Sequence, residues 1–162
     1  MVRVKKRYFV IQMELARDIA KKNFKRALAS QKELQLSDAV LASAIKELVQ
    51  ELHGDHGSAS VSQGLRAIYC NSATRLVLLQ VRHGPHRIVG SVLPFLTKIK
   101  DEKIVPRLLY TGATVRNCYR FMEKHQKKEL VLALKELQKD SKLEKEKTLL
   151  EEKMLNLRQL NN

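Results

Sequence analysis

Apolar residues change their spacing several times along the chain, and these changes predict the order of strands and helices. The run from Arg7 to Leu15 is rich in β-branched and aromatic residues and contains no breaker, so it predicts a strand. From Ser37, a favourable N-cap, apolar residues recur at helical spacing as far as His53. Gly54 then gives a stop signal, and residues 53–57 are expected to form a turn.

The middle of the chain predicts a hairpin followed by a second helix. Residues 61–70 alternate between polar and apolar positions. Within residues 75–82, apolar residues occupy both odd and even positions, so both faces of a strand would be apolar. This is typical of a central strand covered on both faces. Residues 71–74 between them read as a hairpin turn. The helix expected over residues 85–98 contains Pro94, which predicts a kink or an early end. Its inward positions are Ile88, Val92, Phe95 and Ile99.

The remaining elements complete a recognisable arrangement. A charged loop at 100–104 precedes a strand over 105–113, and Thr114 caps a third helix that runs to Gln138 with an interruption near 125–128. The order βαββαβ plus a helix predicts an α+β, ferredoxin-like sandwich of the kind found in RNA-recognition motifs. It has a four-stranded antiparallel sheet with two helices on one face. Because the third strand is apolar on both sides, the added C-terminal helix is expected to cover the second face.

Length and composition favour one domain with a tail. We expect an RNA-binding α/β sandwich domain over residues 1–139, with a basic insertion at about 16–36 after the first strand. Residues 140–162 are rich in Lys, Glu and Leu and predict a charged helical tail.

Positive charge is the feature that narrows the function. The formal charge is +14 and the pI is about 10.0, and residues 1–36 alone hold ten Lys/Arg against three Asp/Glu. Such a field attracts nucleic acid first and anionic membranes second. No run of about 18 apolar residues occurs, so we expect no transmembrane helix, and we expect nucleic acid and not a membrane as the partner.

The first candidate site is the basic cluster that leads into the first strand. Arg3, Lys5, Lys6 and Arg7 lie within five positions of one another. A rigid strand directly after them would hold these cations in place, which favours contacts with phosphate groups. The alternative is that they only add solubilising charge to a chain terminus.

The second candidate site is a glycine-containing turn that feeds the third helix. Gly112 and Thr114 precede the helix, and the free N–H groups of a helix N-terminus attract anions. Arg116 and Arg120 are four residues apart and share one helix face. The alternative is an ordinary capped helix.

Other chemistry is weakly indicated. The third strand has no aromatic residue, so bases cannot stack on it as they do on RNA-recognition motifs. Two cysteines form neither a disulfide framework nor a zinc site. The histidines at 53 and 56 fit a polar turn, and those at 83 and 86 flank a Gly-Pro corner. No phosphate-binding loop, dinucleotide fingerprint or zinc-protease motif occurs. We therefore expect no intrinsic catalysis and no cofactor bound by the protein itself.

Four collinear segments stand out along the chain: Met1–Arg3 with Lys6–Tyr8, Gly64–Asn71 with Thr74–Arg82, Ser91–Thr97 with its Pro94, and Gly112–Cys118. Together they resemble the Pop-five family of small protein subunits of nuclear and archaeal ribonuclease P, and Gly112–Cys118 is similar to that family's Gly-Gly-Thr-Ile-Arg-x-Cys turn. The resemblance covers about residues 1–135.

The resemblance implies a non-catalytic subunit of ribonuclease P, and of the related RNase MRP, in tRNA and rRNA processing. The RNA subunit would remove the 5′ leader of precursor tRNA with bound Mg²⁺. The protein would brace that RNA, beside a TIM-barrel protein subunit and a second small α/β subunit, in the nucleus and nucleolus. RNA contact carries over to the positions that match the motifs, which are Arg3, Arg7, Gly112, Thr114 and Arg116.

This sequence departs from the family pattern at two places. Its first loop, at 16–36, is longer and more basic than in many relatives, and Ala113 stands where relatives often have a second glycine. The alternative to the family function is a generic RNA-binding subunit, or a protein scaffold, of another ribonucleoprotein.

Overall fold

The computed structural model describes residues 4–16, 19, 37–72 and 74–137, with helical backbone only for 133–137. Arg3, nearly all of the predicted insertion and the predicted tail at 140–162 lie outside the described residues. The proposed boundary at 139/140 therefore stays a prediction.

The described elements follow the predicted order and form one antiparallel sheet with the strand order β2-β3-β1-β5-β4. This α+β arrangement confirms the ferredoxin-like fold. The elements are β1 (Lys6–Leu15), α1 (Asp38–Ser62), β2 (Arg66–Cys70), β3 (Leu76–Arg82), α2 (His86–Val92) with a 3₁₀ turn (Leu93–Phe95), β4 (Lys98–Ile99), β5 (Glu102–Gly112) and α3 (Val115–Leu137).

A fifth strand corrects the expected four-stranded sheet. Lys98 pairs with Lys103 and Ile99 with Glu102, so part of the predicted loop at 100–104 belongs to a tight hairpin. Lys100 makes the turn with a φ of 51°. A strand of two residues is too short to show alternation in the sequence.

The helix α1 continues past Gly54, so the predicted turn at 53–57 and the strand beginning at position 61 are wrong. Gly54 does leave helical geometry, with φ 62° and ψ −162°, but the helix resumes after this kink. The second half buries Gly57 and Val61. Burial of Val61 in the core explains why the chain stays helical beyond the stop signal.

Pro94 ends α2 as predicted, but Phe95 does not point inward. The helix stops at Val92, and the 3₁₀ turn that follows has Pro94 in its first turn. A 3₁₀ turn has about three residues per turn instead of 3.6, which shifts the inward positions. Leu93 and Leu96 are buried instead, and Phe95 is 61% exposed.

The helix α3 is continuous, so the interruption expected near 125–128 is wrong. The segment contains no Gly or Pro, and Lys and Gln are good helix formers. Lys127 Nζ also donates to Glu123 Oε1 at 2.6 Å, one turn earlier.

Both faces of the central strands are buried. On one face, residues of β1 and β3 pack with α1 and α2; this core includes Phe9, Ile11, Leu41, Ile45, Val77, Leu79 and Val89. On the other face, Val10, Leu76 and Leu78 are also buried. The prediction that β3 is covered on both sides is confirmed. The chain divides into two compact units at Cys118/Tyr119, and coverage of the second face by α3 stays a prediction.

Candidate nucleic-acid interface

The strand register brings the two predicted basic segments to the same end of the sheet. β1 is central, with β3 on one side and β5 on the other. Tyr8 pairs with Gly112 of β5, and Lys6 pairs with Arg82 of β3. The start of β1 therefore lies between the end of β3 and the Gly112 turn.

The cations at the start of β1 are divided between the two faces of the sheet. Lys6 donates from Nζ to Gln80 Oε1 at 3.3 Å, on the face that α1 and α2 do not cover. Arg7 has the parity of Phe9 and is half-buried on the helix side. Lys5 is exposed, and its carbonyl accepts a hydrogen bond from His83 N at 2.9 Å.

Two stacked histidines lie next to Arg7. The rings of His83 and His86 are 5.1 Å apart, and His86 also stacks on Phe9 with ring centroids 6.4 Å apart. Burial lowers the pKa of His86 below its ordinary value, and the positive charges of His83, Arg7 and Arg87 lower it further. Three basic side chains thus lie close enough to His86 to lower its pKa.

The Gly112 turn is tightly packed against the start of α3. A Cβ at position 112 would lie 2.6 Å from Cys118 Sγ and 3.0 Å from Tyr110 Cε1, so any side chain there would force these neighbours to shift. Ala113 does not have a positive φ, so this position does not require the second glycine that relatives often have there.

Thr114 caps α3 as predicted. Its Oγ1 accepts from Asn117 N at 3.4 Å, and its carbonyl accepts from Cys118 N at 3.3 Å. The Thr114 hydroxyl therefore caps the helix, and the N–H groups before Asn117 lie at a helix N-terminus, where no intrahelical acceptor is available to them. Arg116 is exposed in that first turn, and Arg120 is exposed further along α3.

The structure thus describes seven of the eight predicted site residues, and six of them lie around the start of β1: Lys5, Lys6, Arg7, Gly112, Thr114 and Arg116. The sequence interpretation missed Arg82, Arg87, His83 and His86. Arg82 could have been found, because an antiparallel partner of β1 must end where β1 begins.

Catalytic and metal chemistry find little support in the described part of the chain. No group of three or more His, Cys, Asp or Glu side chains there could hold a metal ion. Burial raises the pKa of Cys70 to about 11, with the Asp38 carboxylate adding to the effect. Burial also raises the pKa of Cys118 to about 11, against the opposing hydrogen bond from Gly112. Neither thiol is an activated nucleophile. Within the described ranges, no helix has the length and apolar character needed to cross a membrane.

Comparison with known proteins gives a family match and several relatives. The model of the Rpp14/Pop5 family matches residues 7–123. The ribonuclease P/MRP protein subunit POP5 of Bos taurus and that of Homo sapiens are each 31% identical over 105 residues, or 62% of this chain. The aligned part is 62% and 64% of their own lengths, so the chain spans less than two thirds of these curated relatives.

A chain of the cryo-EM structure of yeast ribonuclease MRP gives a TM-score of 0.45 at 8% identity, over 70% of this chain and 78% of that chain. That likeness is too low to carry functional information. The family match does confirm the resemblance seen in the sequence, since three of its four segments lie inside residues 7–123.

Proposed function

Because this chain belongs to the Rpp14/Pop5 family, we propose that it is a non-catalytic protein subunit of ribonuclease P, and of ribonuclease MRP, that braces the RNA subunit. One observation carries the proposal. The register of β1 brings together the cations that precede it, Arg82 at the end of β3 and the Gly112 turn at the end of β5. Cations from three separate segments therefore lie at one end of the sheet, and such a concentration of positive charge favours binding to a folded polyanion.

The contacts in this proposal are with phosphates and with RNA shape. Arg116 and the first N–H groups of α3 bind one part of the backbone, and Lys5, Lys6 and Arg7 bind a neighbouring part. Base stacking has no role on β3, which lacks aromatic residues.

The reaction in this proposal belongs to the RNA. The holoenzyme removes the 5′ leader of precursor tRNA, and the RNA subunit carries the Mg²⁺ that supplies the chemistry. Membership of a family whose curated relatives are named as ribonuclease P/MRP protein subunits supports this division of labour. The assembly works in the nucleus and nucleolus.

Protein partners belong to the same proposal: a TIM-barrel subunit and a second small α/β subunit. Exposed apolar side chains support contact with other proteins. Phe95 is 61% exposed, Val105 43% and Leu108 45%. Each of these apolar side chains would be removed from water if another subunit covered it.

The same exposed residues favour a second candidate function, a protein scaffold whose RNA contacts form only after a protein partner has bound. The two candidates differ in one measurable property. The first requires that the purified full chain binds structured RNA by itself, whereas the scaffold binds RNA only in the presence of the partner subunit.

The test compares RNA affinity of the full chain and of Arg116→Ala as a function of salt, using the ribonuclease P RNA of the same organism. We expect weaker binding by the variant and a slope of log affinity against log salt that is shallower by about 1, since one phosphate contact is lost. Lys103→Gln is the control, because Lys103 is an exposed cation at the far end of β5.

An unchanged affinity and slope for Arg116→Ala would remove the Gly112 turn from the interface. A broader test is purification of the chain from cells and sequencing of the co-purifying RNA. Recovery of neither a ribonuclease P RNA nor an MRP RNA would overturn the proposed function.

A further inference from the structure

An open cleft lies beside the start of β1, on the opposite side from the Gly112 turn. Its volume is about 620 Å³, and the second half of α1 forms one wall. We call it the α1 cleft; its polar lining residues are Lys5, His56, Ser60, Gln63, Arg82 and His83, and its apolar lining residues are Val4, Ala59 and Pro85.

Two contacts hold Arg82 at the cleft. Its guanidinium Nη1 donates to Gln63 Oε1 at 3.0 Å. Its aliphatic stem crosses Gly64, where a Cβ would lie 2.8 Å from Arg82 Cγ. Gly64 also has a φ of 114°, a backbone conformation that residues other than glycine rarely adopt. The backbone after α1 is therefore shaped to admit this arginine.

The charge of the cleft has one sign. Lys5 and Arg82 are cationic, His56 and His83 are basic, and no described lining residue is a carboxylate. The neighbouring Asp55, whose Oδ1 accepts from Gln50 Nε2, is not one of the lining residues. A positive cleft with hydroxyl and amide groups at its wall is suited to a phosphate group.

The size of the cleft exceeds that of a phosphate ion alone. Sites of about 300–1,000 Å³ hold organic ligands of small-molecule size, and a nucleotide belongs to this class. The apolar lining residues Val4, Ala59 and Pro85 are available for contact with a sugar or base.

We propose that the α1 cleft binds one nucleotide of an RNA strand, with the phosphate between Lys5 and Arg82. This inference rests on the proposed RNA-binding function and adds a discrete site to it. The end of β3 and the end of β5 are separated by two strand spacings, roughly 10 Å. One RNA strand that crosses the start of β1 can therefore occupy the cleft and also reach the Gly112 turn.

The test uses the full chain and two cleft variants. Gln63→Glu keeps the side-chain shape but gives Arg82 a carboxylate partner within the protein. Lys5→Gln removes a cation and leaves the wall formed by α1 unchanged. We expect each to weaken binding of the ribonuclease P RNA by about tenfold, the effect of one charge-assisted contact. Lys103→Gln, with the same change in net charge, is expected to change it by less than about threefold.

A second measurement uses only the wild-type chain, so its outcome does not depend on whether a variant folds. Backbone amide shifts of the wild-type chain are followed by NMR during titration with a five-nucleotide single-stranded RNA, and separately with inorganic phosphate. The RNA is expected to move the Ser60 and His83 amides at lower concentration than phosphate does. Equal responses to both ligands would contradict a nucleotide site.

The outcomes separate the two proposals. If the wild type binds RNA and both cleft variants behave as Lys103→Gln does, the cleft inference is wrong and the RNA-binding function stands. If the wild type binds no RNA and the Ser60 and His83 amides do not move, the function fails and the cleft inference fails with it. Weaker RNA binding by both cleft variants but not by Lys103→Gln, with the thermal stability of the variants retained, supports both proposals.

Discussion

His86 is the residue at which the local positive field can be measured directly. Its pKa is lowered by burial and then by His83, Arg7 and Arg87. Replacement of Arg7 by Gln removes one of these charges, so the pKa of His86 is expected to rise. The measurement is an NMR titration of the histidine ring protons between about pH 5 and 8.

The control is Lys103→Gln, which removes an exposed cation at the opposite end of β5. It is expected to leave the titration of His86 unchanged. A His86 that titrates identically in Arg7→Gln would mean that Arg7 does not lie beside it. Because the folded protein disfavours the charged imidazole, the contribution of His86 to stability declines as the pH falls through about 6.5, its unfolded value.

The sequence alone identified part of this site. A cluster such as Lys5, Lys6 and Arg7 is visible because the residues are adjacent, and Thr114 is visible because N-caps have a compositional signature. Arg82 and Arg87 are isolated cations in their own segments. Arg82 joins the site only through the pairing of β1 with β3. Arg87 joins it through its position beside His86 on α2. Neither relation is contained in single-residue patterns.

At the level of elements, the contact between β5 and α3 depends on the absence of a side chain at Gly112. Gly112→Ala would place a methyl group 2.6 Å from Cys118 Sγ. Since overpacking of a closed site costs about 1–3 kcal/mol, we expect the free energy of unfolding to fall by that amount. Urea denaturation measures the change.

The double variant distinguishes this clash from other causes. Cys118→Ala makes room for the methyl group, so Gly112→Ala/Cys118→Ala should be more stable than the sum of the two single changes predicts. Gly90→Ala is the matched control, because its Cβ would meet only Phe9 Cζ at 3.9 Å. Additive effects of the two substitutions would show that the turn relaxes without involving Cys118.

Sequence patterns predicted the type and order of the main elements and failed where tertiary contacts decided. Gly54 is a valid local stop signal, yet α1 resumes because Val61 has a place in the core. The two-residue strand β4 exists only as the partner of β5. In the 3₁₀ turn, a change of helical period reversed the prediction for Phe95.

On the scale of the whole molecule, the net charge of +14 acts on stability as well as on binding. Like charges repel in the compact state, and salt screens this repulsion. Ion pairs such as Arg107–Glu14, with N–O distance 3.1 Å and a largely exposed arginine, contribute little in return. We therefore expect the Tm of the free chain to rise as NaCl increases from about 20 to 300 mM.

Bound RNA should reverse that dependence on salt. A polyanion that binds only the folded state raises Tm by mass action, and its affinity falls steeply as salt increases. The elevation of Tm by the ribonuclease P RNA is thus largest at low salt and disappears towards about 300 mM, where the two melting curves converge. An uncharged polymer such as dextran, at equal mass concentration, controls for crowding. A free-chain Tm that falls as salt increases would mean that attractive ion pairs outweigh repulsion in the folded chain. The cations at the start of β1 would then be neutralised by carboxylates of the chain itself and would not be available to a polyanion.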